Sequence, residues 1–222
     1  MPVADPASWA ADLLSICATP WPRNRMVHIV CHGHSVPAGY FKTPVVDTFH
    51  AYPHLLHAGI KERYPFAIVN VTVTAIGGED SVSGASRFER DVLALRPDIV
   101  TIDYGLNDRR PGLDKAKAAW ESMIRTAKQR GTKVLLLTPT DDLSVRIDDE
   151  SDPLLRHAAQ IRSLAEIHGT ALVDSLALWQ NLHRSGGKRE NWMSQGNHPN
   201  ADGHRRVAEE LLRWFPAGAK PI

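Results

Sequence analysis

Short apolar runs alternate with longer stretches of helical periodicity along most of this chain, and that alternation restricts the fold more than any other feature. Residues 27–31, 67–73, 98–103, 133–138 and 170–173 are rich in Val, Ile and Leu with little polar alternation. That is the pattern of parallel strands covered on both faces. Between them, residues 49–63, 83–95, 113–130 and 153–168 carry apolar side chains at helical spacing. In the third stretch Ala116, Ala119, Trp120, Met123 and Ile124 form one face, and Lys115, Lys117, Glu121 and Arg125 form the other. Gly131 follows as a helix stop, and Asn200 is a good N-cap for a last helix that buries Val207, Leu211 and Trp214 or Phe215.

Repeated strand–helix units predict a doubly wound α/β fold, a parallel sheet with helices on both faces. The whole chain, 1–222, reads as one domain with residues 1–25 as an N-terminal extension. Sites in such sheets collect at the carboxyl ends of the strands. Residues 139–152, rich in Asp and Thr, are long enough to form a rim or lid over that edge.

Composition narrows the function classes. The 222 residues carry 26 basic and 25 acidic side chains, a net charge of +1, which gives no electrostatic footprint for nucleic acid or an anionic membrane. No apolar run reaches membrane-spanning length. The polar, acidic start of the chain has no signal-peptide pattern, so a cytoplasmic location is expected. Two cysteines, Cys17 and Cys31, are too few for a disulfide framework, and Cys31 is expected as a buried thiol.

Four fragments stand near the ends of strands or the start of a helix: Gly33-His34-Ser35, Ile76-Gly77-Gly78-Glu79, Gly105-Leu106-Asn107-Asp108 and Asn197-His198-Pro199-Asn200. A serine hydroxyl needs a base to take its proton as it attacks, and His198 is the candidate for Ser35. The Asn107 amide and the backbone N–H groups of Gly78 and Ser35 are candidate donors to an oxyanion. Singly, each fragment is also an ordinary turn or cap. Their joint occurrence after successive strands points to an acyl-transfer site.

These four blocks, in this order over about residues 27–212, resemble those of the SGNH, or GDSL-like, hydrolases. The resemblance implies a flavodoxin-like three-layer α/β/α fold with a five-stranded parallel sheet. It also implies a serine esterase or acylhydrolase acting without metal or other cofactor on a small-molecule ester. By position it makes Ser35 the nucleophile, His198 the base, and Ser35, Gly78 and Asn107 the oxyanion hole.

The chain departs from the family pattern twice. His34 stands where an Asp usually precedes the nucleophile, and Gln195 stands where an Asp usually lies three residues before the His. In a Ser-His-Asp triad the Asp orients the imidazole, and replacing it with Asn lowers the rate about 10⁴-fold in the best-studied case. Gln195 is expected to orient His198 through its amide oxygen, with a backbone carbonyl as the alternative. Asp202, Glu190 and Asp174 are weaker candidates for a substitute acid.

Two other classes compete. A binding module would keep the cleft without cleaving the ester. A metal hydrolase would use His50, His54 and His57, which lie at helical spacing but lack an intervening Glu. For the substrate, Tyr40, Phe41 and Trp192 are expected as aromatic pocket walls. Short acyl esters are expected, with O-acetyl groups on carbohydrates as the analogy the family offers.

Overall fold

The computed structural model describes residues 3–217. Its main sheet has five strands: β1 (Met26–Gly33), β2 (Ile68–Val73), β3 (Ile99–Asp103), β4 (Lys133–Leu137) and β5 (Ala171–Val173). All neighbouring pairs are parallel, in the order β2-β1-β3-β4-β5. This is the flavodoxin-like order, which reverses direction beside the first strand and opens a crevice there. The predicted α/β class and strand number hold, and each predicted strand differs from its observed bounds by two residues at most.

Successive strand residues point to opposite faces, and each face has its own core. Ile29, Ile99 and Leu135 enter one cluster, while their neighbours Val30, Val100 and Leu136 enter the other. The first cluster is closed by α1 (Ala11–Ala18), α3 (Tyr52–Arg63), α7 (Ser175–Arg184) and α8 (Ala201–Leu212). The second is closed by α4 (Ser81–Asp91) and α5 (Leu113–Gln129), with Ile161, Leu164 and Ala165 of α6 (Pro153–His168). Each fully buried aliphatic or aromatic side chain here contributes about 1.5–3 kcal/mol relative to exposure.

Helix ends follow the capping chemistry in the sequence. Asp80 accepts from the Ser83 N–H at the start of α4, and Asp152 from the Leu154 N–H at the start of α6. Besides the short helix at Ser35–Ala38, two helices lie outside the predicted stretches. α1 belongs to the N-terminal segment, where Leu13, Leu14 and Cys17 are buried in the first cluster. α7 is capped by Asp174, a residue that also pairs with Arg162; the Asp174 cap before Leu176 and Trp179 carries the signal for it. Cys17 and Cys31 are free and buried, and burial pushes their thiols up to about 11 and about 12. Among the described residues no helix is long and apolar enough to cross a membrane.

Candidate active site

β1 ends at Gly33, which packs against β3 so closely that a Cβ there would lie 2.4 Å from the Asp103 carbonyl oxygen. The chain turns through His34 into the short helix α2 (Ser35–Ala38), putting Ser35 at its first position. His34 caps this turn: its Nδ1 accepts from the Val36 N–H at 3.3 Å. A side-chain acceptor is what the position needs, and imidazole supplies it where the family has Asp. The far edge of the ring faces the buried Asp103 carboxylate, at 3.3 Å from Oδ1, while Tyr52 donates its hydroxyl to Oδ2 at 3.1 Å.

His198 arrives from the opposite end of the chain on a small antiparallel hairpin, β6 (Met193–Gln195) and β7 (His198–Pro199). Ser194 closes the hairpin by donating to the His198 and Pro199 carbonyls. Asn200 then caps α8 by accepting from Asp202 and Gly203. Gly203 has a packing reason: a Cβ there would stand 2.4 Å from the Trp192 carbonyl oxygen. α8 therefore lies directly against the hairpin and holds the imidazole in place.

The two distant segments meet. His198 Nε2 lies 2.9 Å from Ser35 Oγ, and both residues are buried. Nδ1 lies 2.8 Å from the carbonyl oxygen of Phe41. A carbonyl can only accept, so Nδ1 carries the proton and donates to it. That leaves the lone pair of Nε2 facing the serine hydroxyl, the tautomer a base requires. Burial holds the His198 imidazole below its ordinary value, opposed by the Phe41 hydrogen bond.

Gln195 is not the acceptor that the sequence predicts. Its amide oxygen is taken by the Thr43 N–H at 3.0 Å, and its nitrogen is the atom beside Nδ1, at 2.9 Å. An amide NH₂ cannot accept from an imidazole N–H. Gln195 instead ties the 40–47 loop to the hairpin, and the Phe41 carbonyl takes the orienting place. Phe41 itself is held by its N–H bond to the Val45 carbonyl and by stacking on His204, with ring centroids 5.0 Å apart.

Ser35, Tyr40, Thr43, Gly77, Gly78, Asn107, Asn197 and His198 line one cleft of about 380 Å³. The Ser35 and Gly78 N–H groups form no hydrogen bond among the described residues. Gly78 has φ +76° and open space around its Cα, a conformation that glycine adopts at little cost. The Asn107 amide donates one N–H to the Glu79 carbonyl at 2.9 Å, leaving the second for the cleft. Such an arrangement can deprotonate a hydroxyl and offer several fixed donors to a developing oxyanion.

Of the other expected residues, one joins the cleft and the rest lie elsewhere. Tyr40 is in the cleft, its ring 6.2 Å from that of His198. Phe41 turns its ring away onto His204. Trp192 is not a pocket wall: it packs edge-on to Trp179 beneath Arg206, in a separate groove between α7 and α8. The aromatic before the hairpin is drawn into helix packing because Gly203 brings α8 so close. Glu190 and Asp202 are exposed, and Asp202 pairs with Arg205 in the first turn of α8. His50 bonds to Asp47, His54 abuts Phe49 and His57 bonds to the Val69 carbonyl, so the three do not converge. Among the described residues no group of three or more His, Cys, Asp or Glu could hold a metal ion.

The 139–152 loop forms a pinned rim. Leu143 N–H donates to the Gly196 carbonyl at 2.7 Å, and Asp141 and Asp142 pair with Arg189 and Arg109. The His-bearing hairpin is thus braced from the rim as well as from α8.

A buried hydroxyl–imidazole pair at the carboxyl edge of a doubly wound sheet is the equipment of an acyl-transfer enzyme. Residues 31–206 match the GDSL-like lipase/acylhydrolase family, and the chain belongs to that family. It is a carboxylic ester hydrolase. No sequence among curated proteins matches it. Among solved structures it is similar to the acetylxylan esterase Axe2 from Geobacillus stearothermophilus, with a TM-score of 0.71 at 21% identity over 86% of this chain and 94% of that one. It is also similar to a protein from Parabacteroides merdae assigned as a GDSL-like lipase, with a TM-score of 0.73 at 17% identity over 86% of this chain and 96% of that one. Catalytic mutants of Axe2 replace a serine, a histidine and an aspartate three positions before that histidine.

Proposed function

We propose that this protein hydrolyses short acyl esters, O-acetyl groups on carbohydrates among them, through a Ser35–His198 pair oriented by the Phe41 carbonyl. The 2.9 Å approach of His198 Nε2 to Ser35 Oγ, in a cleft shared with Gly78 and Asn107, carries this reading. Ser35 Oγ attacks the ester carbonyl carbon as its proton passes to Nε2. The resulting oxyanion takes hydrogen bonds from the N–H groups of Ser35 and Gly78 and from the free amide hydrogen of Asn107. Collapse expels the alcohol, which leaves with the proton from Nε2. Water then attacks the acyl-serine by the same route and releases the carboxylic acid.

The short-acyl preference rests on the lining. Among the described residues no aliphatic side chain larger than Thr43 borders the cleft, and Tyr40 supplies its phenol ring. A long chain would find little apolar surface to cover, whereas a sugar can stack on a phenol ring and bond to the polar rim. Likeness to an acetylxylan esterase supports the carbohydrate ester. Initial rates on p-nitrophenyl acetate, butyrate and octanoate, and acetate release from acetylated xylo-oligosaccharides, test it. Ser35→Ala and His198→Ala are each expected to abolish turnover of acetate esters. Wild-type rates in either variant would overturn the proposal, and a preference for octanoate would overturn its substrate part.

A further inference from the structure

Glu79 follows Gly78, which lines the cleft, and both ends of this residue are engaged. Its backbone carbonyl accepts from Asn107 Nδ2 at 2.9 Å. Its carboxylate points the other way, into the protein, where only 8% of the side chain is exposed. There Arg87 Nε donates to Oε1 at 2.7 Å and a second Arg87 nitrogen donates to Oε2, a forked pair. Tyr104 donates its hydroxyl to Oε2 at 2.8 Å.

The chain of bonds continues beyond Glu79. His32 Nε2 lies 3.0 Å from the Tyr104 hydroxyl and 3.2 Å from the Gly84 carbonyl, and its Nδ1 lies 2.9 Å from Thr74 Oγ1. Burial pushes the His32 imidazole down to about 4, so it is neutral, donates from Nε2 and accepts at Nδ1. Each of these hydrogens therefore has one direction. Gly84 completes the fit, since a Cβ there would lie 2.3 Å from the Tyr104 oxygen. A buried, directed network of this kind fixes the residue at its centre more firmly than one contact could.

We propose that Glu79 is the positioning residue of Asn107, its clamped carboxylate fixing the backbone of residue 79 so that its carbonyl aims the Asn107 amide into the cleft. A donor in the turn after β3 is thereby aimed by an anchored residue in the turn after β2. A hydrogen bond to an oxyanion weakens steeply with misdirection, so losing the anchor acts on the transition state and spares binding of the ester. The inference rests on the proposed serine mechanism.

The test uses Glu79→Gln and Asn107→Ala, singly and together, with kcat and KM on p-nitrophenyl acetate and the affinity of an aryl trifluoromethyl ketone. Loss of one oxyanion donor costs about 10²–10³-fold in kcat, and Asn107→Ala is expected in that range. Glu79→Gln disturbs the anchor without deleting a donor, so a loss of about 10-fold or more in kcat is expected, with KM within about threefold and a matching loss in ketone affinity. In the Asn107→Ala background the same substitution is expected to cost at most about threefold, because its target is gone. Where Glu79→Gln fails to fold, Tyr104→Phe, which removes one donor to the carboxylate, is expected to lower kcat in the same non-additive way. Fluorophosphonate labelling of wild type reports on Ser35 separately. No labelling at Ser35 would overturn the serine mechanism and this inference with it. Labelling at Ser35 with unchanged kcat in folded Glu79→Gln, or losses that simply multiply with Asn107→Ala, would overturn this inference alone.

Discussion

The main-chain oxygen of Phe41 stands 2.8 Å from Nδ1 of His198, where the relatives' pattern would put a carboxylate. A carbonyl fixes the tautomer and the ring plane as well as a carboxylate does. In the proposed mechanism it brings no negative charge to balance the imidazolium that would form as the serine attacks. Orientation is therefore complete and electrostatic support is partial.

Gln195→Glu restores the charge without changing the shape. One carboxylate oxygen keeps the Thr43 N–H, and the other replaces the amide nitrogen 2.9 Å from Nδ1. The carboxylate stabilises imidazolium, so kcat for p-nitrophenyl acetate is expected to rise about 10-fold, part of the ~10⁴ that a triad carboxylate contributes elsewhere. The acid limb of the rate profile moves to higher pH at the same time. Gln195→Ala, which leaves the Phe41 carbonyl in place, is expected to change kcat by no more than about 10-fold. A collapse of activity in Gln195→Ala would mean that the carbonyl does not orient the ring.

Burial holds His198 below the ordinary imidazole value of 6.5. The proposed base acts in its neutral form, and a lowered value keeps it neutral to more acidic pH. The acid limb of kcat/KM in the wild type is thus expected to have its midpoint below 6.5. Steady-state rates between about pH 4 and 8 check this, and a midpoint above 6.5 would contradict it.

Stability has its own dependence on acid. His32, His157 and His204 are buried, and desolvation lowers them to about 4, about 4 and about 3. Between those values and 6.5 the unfolded chain binds more protons than the folded one, so stability is full above 6.5 and lost as pH falls through that window. Urea midpoints measured at several pH values are expected to decline steadily below 6.5. A flat profile down to pH 4 would show that these side chains protonate without unfolding pressure.

The sheet, helices α3 to α6 and α8, and the positions of Ser35, Gly78, Asn107 and His198 are legible because each leaves a side-chain or periodicity signal. What orients His198 is not. A backbone carbonyl has no residue type, and the Phe41 oxygen reaches Nδ1 only through the folding of the 40–47 loop. Gln195 looked like the orienting group because its spacing to His198 matches the relatives' aspartate, and spacing cannot say which end of an amide faces the ring. Trp192 misled similarly: an aromatic residue beside a catalytic block reads as a wall, yet the close approach at Gly203 draws it into helix packing. α1 was missed because residues 1–25 carry no strand partner to frame them.

His34 touches three things at once: the Val36 N–H, the Asp103 carboxylate and, at 3.4 Å, Ser35 Oγ. Removing the ring leaves a buried acceptor on Asp103 facing a void and uncaps the turn that carries the nucleophile. His34→Ala is expected to lose about 2–4 kcal/mol from the buried polar group and the cap together. That corresponds to a fall in Tm of very roughly 4–16 °C for a domain of this size. His34→Asn, which keeps a short acceptor for the Val36 N–H, is expected to recover part of it. A Tm unchanged in both would show that Asp103 finds another partner.

Two glycines of the site fail for opposite reasons when a methyl is added. At Gly203 the Cβ meets the Trp192 carbonyl at 2.4 Å and the Pro199 Cβ at 2.9 Å, both parts of the hairpin region and neither able to swing away. Gly203→Ala therefore pushes α8 off the hairpin, with an overpacking cost of about 1–3 kcal/mol and a displaced His198. Tm and kcat fall together. At Gly78 there is room for the methyl, but φ is +76°, where an L residue is strained by about 1–2 kcal/mol. The strain relaxes by rotating the 77–78 peptide, and that rotation turns the Gly78 N–H away from the cleft. Gly78→Ala is thus expected to lower kcat by about 10²-fold with KM and Tm little changed. Equal losses of Tm in the two variants would show that the Gly78 peptide cannot rotate independently of the fold.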